Sequence, residues 1–594
     1  MRSNPWALTG ILVVAALTYY LGHRSSRFAN TTDDFLVARR TVRSRRNAAA
    51  ISGEYLSAAS FLGVAGVVLK EGANGLWYPI GFTGGYLALM LFVAAPLRRS
   101  GAYTLPDFLE ARLGSLALRR CATLFVVIIG VLYLVPQLQG AGLALNAVLP
   151  GTPAWVGAIA VTVLVAGNVL AGGMRAITVV QAFQYWLKLF AIAVPAFVLC
   201  AVFVADHRAG PAGEFGKPAS PVFTAETTVR IDVEVRLRVG SVTPVWLKEP
   251  GSGTETLVVW PKGATEDVAR GTQLRFAAGT PVPVVSDAVA AEDDWLAPAS
   301  GGAGDLLKTY SLLLATALGT MGLPHVLVRF YTNPDGKAAR RTAVHVLLLL
   351  GVFYLFPTLL GAMSRLYVPE LLVTGQTDAA VLHLPHAILP GLAGDVLTAV
   401  LMAGAFAAFL SAASGLVVSV AGVVSTDVFK GRLRENRWSI SLVALIPAVL
   451  AVVLRPMDLT QSVGIAFALA ASTFAPTLLL GIWWRRLTWP GAMAGMLFGG
   501  GLVVAALVWR TVDGYSGSDA PWLLEQPALV TVPLAFVITF LVSLATPAGR
   551  PADVNGVMLR LHAPDPLGLM RERTVARFGV VDGRARGGKG RHRR

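Results

Sequence analysis

Apolar residues run along this chain in stretches of roughly 18–25, the length a helix needs to span about 30 Å of hydrocarbon. About thirteen such runs recur, near 5–23, 47–70, 76–97, 121–148, 154–173, 178–205, 307–329, 341–364, 393–424, 439–455, 461–483, 488–509 and 528–546. Short polar connections separate them, with one exception. Asp206–Leu306 is about a hundred mostly polar residues, far longer than an ordinary connection. Within it Thr228–Val239 alternates Val, Ile and Leu with Arg, Asp and Glu at period two, which predicts a half-buried strand. Leu257–Trp260 and Gln273–Phe276 read as further strands between turn residues. A small extracytoplasmic β-rich module is expected here, an accessory cap without chemistry of its own.

Composition agrees with a membrane protein: 594 residues, 55% hydrophobic, 14% charged, mean hydropathy +0.62. The two cysteines, Cys121 and Cys200, both sit in apolar runs, so neither a disulfide framework nor a zinc site is expected. Arg far outnumbers Lys, a bias of GC-rich bacterial coding. The first apolar run lacks an Ala-x-Ala cleavage site and is followed by Arg24, Arg27 and Arg39–Arg46, which predicts a retained anchor with its N-terminus outside. Basic residues then mark alternate connections: Arg98/Arg99/Arg119/Arg120, Arg175, Lys337/Arg340/Arg341, Lys430/Arg432/Arg434/Arg437 and Arg485/Arg486. The intervening loops 366–392 and 511–526 are nearly free of Lys and Arg. This alternation predicts a multi-pass protein of the bacterial cytoplasmic membrane with its C-terminus inside. It also accounts for the net charge of +16, with the tail RARGGKGRHRR supplying orientation charge and attraction to anionic lipid rather than a nucleic-acid arm.

The chemistry of an enzyme is missing from this pattern. No nucleophile–base arrangement stands out, no glycine loop follows a strand, and His325, His345, His383 and His386 lack a metal-ligand spacing. Instead, Ala403–Asp427 is long enough to cross a bilayer, uncharged before Asp427, and crowded with small residues and hydroxyls. Such residues let backbones approach closely and offer oxygen ligands where there is no water. Ile51–Gly63 has the same character and carries a carboxylate, Glu54. Together they predict an ion site between two helices. Ala317–His325, with two glycines and a proline in mid-membrane, predicts a broken helix, tolerated only where the freed backbone groups line a cavity or bind a ligand. The first broken segment lies five spans earlier, a spacing that fits two five-helix inverted repeats.

The segments Gly53–Gly66, Gly85–Gly114, Gly172–Thr178, Leu318–Asp335 and Ala408–Phe429 carry a resemblance to the sodium:solute symporter family, and within it to the acetate (monocarboxylate) permease subgroup. The resemblance implies an all-α, multi-pass, inverted-repeat (5+5) transporter that imports a small monocarboxylate such as acetate, propionate or pyruvate with Na+ or H+ by alternating access. Its divisions are then an N-terminal helix and loop (1–46), the first repeat (47–205), the insert (206–306), the second repeat (307–483), two added helices (484–548) and a basic, largely disordered tail (549–594). Beyond the lipid bilayer, the solute and the coupling ion, no cofactor or partner is expected.

In the family, backbone carbonyls of the first core helix hold the sodium ion together with a carbonyl and two adjacent hydroxyls of the eighth. By position these are Gly53 and Leu56, then Ala408, Ser411 and Ala412, counted back from Asp427. Ala412 departs from the pattern, leaving one hydroxyl where the family has two. Glu54 offers another route: an ionisable residue inside a span is costly, so it completes the ion shell, carries a proton, or serves as a structural carboxylate paired with a neighbouring helix. Ser57 and Ser60 on the first broken helix, Gln137 and Gln139 on the fourth span, and Thr320 on the second broken helix are the substrate contacts expected. Other symporter substrates (proline, a sugar, a vitamin), a transporter-like sensor and a passive channel are the alternatives. The roughly fifty residues after the last span lack the periodicity of a signalling domain.

Overall fold

A helix pairs its backbone N–H and C=O groups within one segment, as lipid requires, and the apolar runs fold accordingly. The computed structural model describes residues 4–26, 40–205, 221–298, 302–427, 433–454, 458–516 and 522–569. Its main helices are α1 (Pro5–Ser26), α2 (Ser44–Tyr55), α3 (Val64–Glu71), α4 (Trp77–Phe92), α5 (Leu116–Val148), α6 (Ala154–Ala205) and α7 (Ala303–Gly322). There follow α8 (Pro324–Phe330), α9 (Gly336–Tyr367), α10 (Leu392–Asp427), α11 (Leu433–Val453), α12 (Leu459–Trp483), α13 (Trp489–Ser516), α14 (Ala528–Ala545) and α15 (Val554–His562).

Among the described residues nine helices are long and apolar enough to cross a membrane, or ten if the bent pair α7–α8 is one span. The difference from about thirteen runs lies in how the runs divide. The run 47–70 is cut into α2, a π-turn at Ala59–Gly63, and α3. The runs 154–173 and 178–205 form one uninterrupted helix, α6, so the connection expected between them is helical. Gly172 and Gly173 weaken a helix by roughly 1 kcal/mol each relative to Ala, but no proline is there to stop it. The run at 439–455 falls on a shorter apolar segment of α11, Ser439–Val453.

Both expected interruptions are present. The first core helix stops at Leu56 (φ −73°, ψ 83°) and resumes through the π-turn. The second bends by 44° between α7 and α8, where Leu323 is extended (φ −69°, ψ 115°) and Pro324 opens the next helix. Small residues bring the neighbours of these breaks very close. A Cβ on Gly53 would strike the carbonyl oxygen of Gln181, and one on Gly415 would strike the Glu54 carboxyl. The contacts place α2 on α6 and α9, and α10 on α6, α5 and α1.

The insert is β-rich, as its alternation predicts, with all strands antiparallel. Strands β1 (Thr227–Arg230), β2 (Val235–Arg238), β3 (Thr243–Lys248), β4 (Thr256–Trp260), β5 (Thr265–Val268), β6 (Gln273–Phe276) and β7 (Val284–Val285) form two sheets, ordered β1-β6-β3-β4 and β5-β2-β7. The segment Thr228–Val239 is therefore two strands in different sheets rather than one. Ile231 leaves the ladder to exchange backbone hydrogen bonds with Gly271 and Thr272 (2.7 and 2.9 Å), which ends β1 before β2 begins.

After β7 the chain latches onto the membrane part. Lys70 near the end of α3 donates to Asp287 of the insert and, at 2.6 Å, to Asp458 just before α12. Trp295 Nε1 donates to the carbonyls of Val68 (3.0 Å) and Leu69 (3.1 Å), and Arg365 lies 4.9 Å over the Trp295 ring. Nearby Asp378, in the connection between α9 and α10, accepts from Leu459 N at 2.8 Å. Burial, and after it the charge of Asp458, pushes the Asp378 carboxyl up to about 7.

On the opposite, Arg-rich side the expected orientation charges have specific partners. Arg119 pairs with Asp427 and Glu110, each at 2.5 Å, and Arg98 donates to the carbonyls of Asn333 and Pro334. The start of the segment expected to be disordered is ordered: α15 is followed by Asp565, which accepts from Arg99 (2.9 Å) and from Lys337 N (3.0 Å) at the first turn of α9. Burial raises the Asp565 carboxyl, but the Arg99 hydrogen bond and charge hold it below its ordinary value. The sequence RARGGKGRHRR and Lys430 lie outside the described residues, as do the side chains of Arg175, Arg432, Arg434 and Arg437.

Candidate functional site: a caged cation beside a helix break

Where α2 stops, its last carbonyls lose their helical partners, and the small-residue face of α10 comes up against them. Ser411 Oγ lies 2.7 Å from Gly53 O and 3.1 Å from Ala408 O. Gly53, Leu56, Ala408 and Ser411, the expected cation ligands, are thus gathered at one buried point. Ala412 is beside them, 1% exposed, and its methyl side chain adds no oxygen.

Sequence reasoning missed the group at the centre of this cage. The ammonium of Lys188, on α6, donates to Gly53 O, to Leu56 O at 2.7 Å and to Ser411 Oγ at 2.8 Å. Its three N–H groups meet three oxygen acceptors, the full complement for an ammonium. The side chain is wholly buried, which is tolerable for a charge only when it is satisfied in this way. A signal was there to be read: Lys188 sits in the apolar run after Gln184, and Thr178, Gln181 and Lys188 fall on one helical face, three and seven residues apart.

Glu54 belongs to an adjoining network. Arg329 of α8 donates through Nε to Glu54 Oε2 at 2.7 Å, through Nη1 to Thr178 Oγ1 at 2.9 Å, and through Nη2 to Gln181 Oε1. Gln181 Nε2 then donates to the carbonyl of Ser411 at 2.9 Å. Of the roles open to Glu54, this geometry matches the structural carboxylate paired with a neighbouring helix.

Most of the expected substrate contacts also collect at the first break. Ser57 lies in it, its carbonyl accepting from Ser60 N (3.1 Å) and Phe61 N (3.0 Å). Ser60 Oγ bonds Tyr354 OH at 2.9 Å. Gln137 Oε1 accepts from Ala58 N at 2.9 Å, and Thr320 Oγ1 bonds Tyr55 OH at 2.9 Å. Gln139 does not join them; its amide donates to Leu454 O at 3.2 Å, near the end of α11. Aromatic rings connect the others: Tyr55 lies 4.8 Å from Tyr86, Phe82 lies 4.9 Å from Phe467, and Tyr133 lies 5.0 Å from His325. Within this cluster Gln137 Nε2, Tyr86 OH and both His325 nitrogens are buried without a hydrogen-bond partner. His383 and His386 lie elsewhere, on a short helix, Ala380–Ile388. Among the described residues no group of three or more His, Cys, Asp and Glu side chains could hold a metal ion.

A separate cavity of about 540 Å³ lies between the insert and the helix ends next to it. Its lining includes the acids Glu71, Asp287, Asp294, Asp305 and Glu525 against the bases Arg238, Lys308 and Arg510. That excess of negative charge disfavours an anion there.

Known proteins resemble this chain over most of its length. A Na+-coupled sialic acid symporter, solved in a substrate-bound outward-open state, covers 91% of this chain and 98% of its own at a TM-score of 0.58 and 13% identity. The fold is therefore an all-α, inverted-repeat transporter fold with a small β-rich insert. An uncharacterized symporter of Bacillus subtilis, YwcA, is 29% identical over 551 residues, covering 90% of this chain and 93% of its own length. A monocarboxylic acid transporter of Corynebacterium glutamicum is 28% identical over 591 residues, covering 95% of each. The sodium:solute symporter family matches residues 35–210 and 280–499, leaving out most of the insert. With its two broken helices, its buried oxygen cage and a family match over more than half its length, this chain belongs to the sodium:solute symporter family.

Proposed function

We propose that this protein is a cation-coupled symporter that imports a small monocarboxylate, of the size of acetate, propionate or pyruvate, by alternating access. The observation that carries the substrate class is the set of unpartnered buried donors around the aromatic cluster: Gln137 Nε2, Tyr86 OH and the protonated ring nitrogen of His325. A buried donor without a partner costs roughly 1–3 kcal/mol. A carboxylate relieves that cost, because it accepts hydrogen bonds through both oxygens. The surrounding rings of Tyr55, Phe82 and Phe467 suit a short apolar tail. The relative that transports monocarboxylic acids supports the same class. The basic residues of alternate connections support an orientation with the N-terminus outside and the C-terminus in the cytoplasm.

The test is uptake by the purified protein in proteoliposomes. Labelled acetate should accumulate above equilibrium when a cation gradient is imposed. Equilibration without accumulation under every gradient identifies a passive channel. Accumulation of an amino acid or a sugar, with no carboxylate taken up, removes the substrate assignment.

A further inference from the structure

The oxygen cage at the end of α2 has the composition of a site for a monovalent cation, and that position is filled by the protein itself. Gly53 O, Leu56 O and Ser411 Oγ, the oxygens that a free ion would need, all point their lone pairs at Lys188 Nζ. We propose that Lys188 is the resident cation of this site, so that no Na+ binds there and uptake by this chain proceeds without Na+.

Several independent features fit one another here. A free metal ion of this size gathers several hard oxygen ligands around itself, whereas an ammonium has only three hydrogens to place. Gly53 O, Leu56 O and Ser411 Oγ meet that smaller number, and Ala412 stands where a second hydroxyl would have enlarged the cage. Lys188 is enclosed where it stands. Its side chain is 0% exposed, and Gly53 is held against the backbone of Gln181, one helix away, so closely that no Cβ fits between. Nor does a neighbouring carboxylate draw the ammonium out of the cage, because Arg329 engages Glu54. Gln181 fixes the geometry from the other side by bonding the Ser411 carbonyl, and Gln181 and Lys188 lie two turns apart on the same face of α6. A second positive charge in this buried cage would face the first at contact distance, where repulsion is weakly screened. The site is electrostatically complete as it stands.

This inference rests on the reading of the chain as a cation-coupled carrier, and the experiment separates the two. Acetate uptake driven by an inward proton gradient should be the same when choline replaces Na+ on both sides of the membrane. The purified wild-type protein should show no saturable binding of radioactive sodium. Lys188→Ala combined with Ala412→Ser empties the cage and adds the missing hydroxyl, and this protein should gain saturable sodium binding that a further Ser411→Ala change abolishes. A lysine that merely braces two helices would yield no such gain. Uptake that falls to background without Na+, or saturable sodium binding by the wild type, overturns the inference. So does a well-inserted double variant that binds no sodium. Absence of acetate uptake under every gradient would remove the substrate assignment alone, since the sodium-binding measurements decide the role of Lys188 without any substrate.

Discussion

Arg329 Nε lies 2.7 Å from Glu54 Oε2, with the two side chains 1% and 2% exposed. Removing one member of such a pair strands a buried charge and costs about 3–5 kcal/mol. Glu54→Gln should therefore lower thermal stability sharply in detergent, and adding Arg329→Gln should recover part of the loss. Differential scanning of the single and double variants checks this. A Glu54→Gln protein as stable as the wild type, deficient only in accumulation, would instead assign the carboxylate to proton transfer.

Gln137 offers a cleaner probe of substrate binding. Gln137→Glu keeps an oxygen for the Ala58 amide but replaces the free Nε2 by a second oxygen. The KM for acetate should rise by about tenfold or more, corresponding to at least ~1.4 kcal/mol, and the melting temperature should fall as well, because the new carboxyl is buried without a counter-charge. Concentration-dependent uptake gives the answer, and an unchanged KM would place the carboxylate elsewhere.

Trp295 is one of the points at which the insert grips the end of α3. Trp295→Ala loses two hydrogen bonds to α3 carbonyls and the ring beneath Arg365, and should cost about 3–5 kcal/mol. Arg236→Ala breaks an exposed pair with Asp267, 45% and 60% exposed, and should cost under about 1 kcal/mol. Comparing the two unfolding curves tests whether the limb, rather than the sheets, joins the insert to the carrier.

Asp378 gives the junction between the insert and the helices a pH dependence. Burial, and then Asp458, raises its carboxyl from 3.8 to about 7. A carboxyl raised in the folded state binds its proton more tightly there, so its stabilising effect is complete below pH 3.8 and is lost as pH rises through about 7. Thermal stability measured from pH 5 to pH 8 should fall across this window, and Asp378→Asn should flatten the slope while keeping an acceptor for Leu459 N. An unchanged slope in the variant would assign the dependence to other groups.

Much of this architecture is written in local patterns. The helix breaks at Leu56 and Leu323 follow from small residues and Pro324, and β4 and β6 follow from short apolar runs between turn residues, because each depends on neighbours in sequence. Gly53, Leu56 and Ser411 came instead from the family resemblance, and the fold gathers them at one point. Their occupant came from neither pattern nor resemblance. Lys188 reaches residues 132, 135 and 223 positions away, and within its own run it reads as one stray charge in a greasy helix. Arg329 was hidden for a related reason: its partner Glu54 is 275 residues distant, and a basic residue near a helix end resembles an orientation charge until the fold is known. The division of Thr228–Val239 between two sheets was equally out of reach, because alternation fixes a strand's faces and not its partners.

A cation tied to the polypeptide never leaves it, and this fixes the electrical accounting of each turnover. A free Na+ travelling beside one monocarboxylate would make a neutral pair. On the proposal that a monocarboxylate is the solute and that the ammonium of Lys188 stays behind in the bundle, the anion's charge crosses uncompensated unless a proton travels with it. Uptake with a proton should then pass no net current, and uptake without one should move negative charge inward.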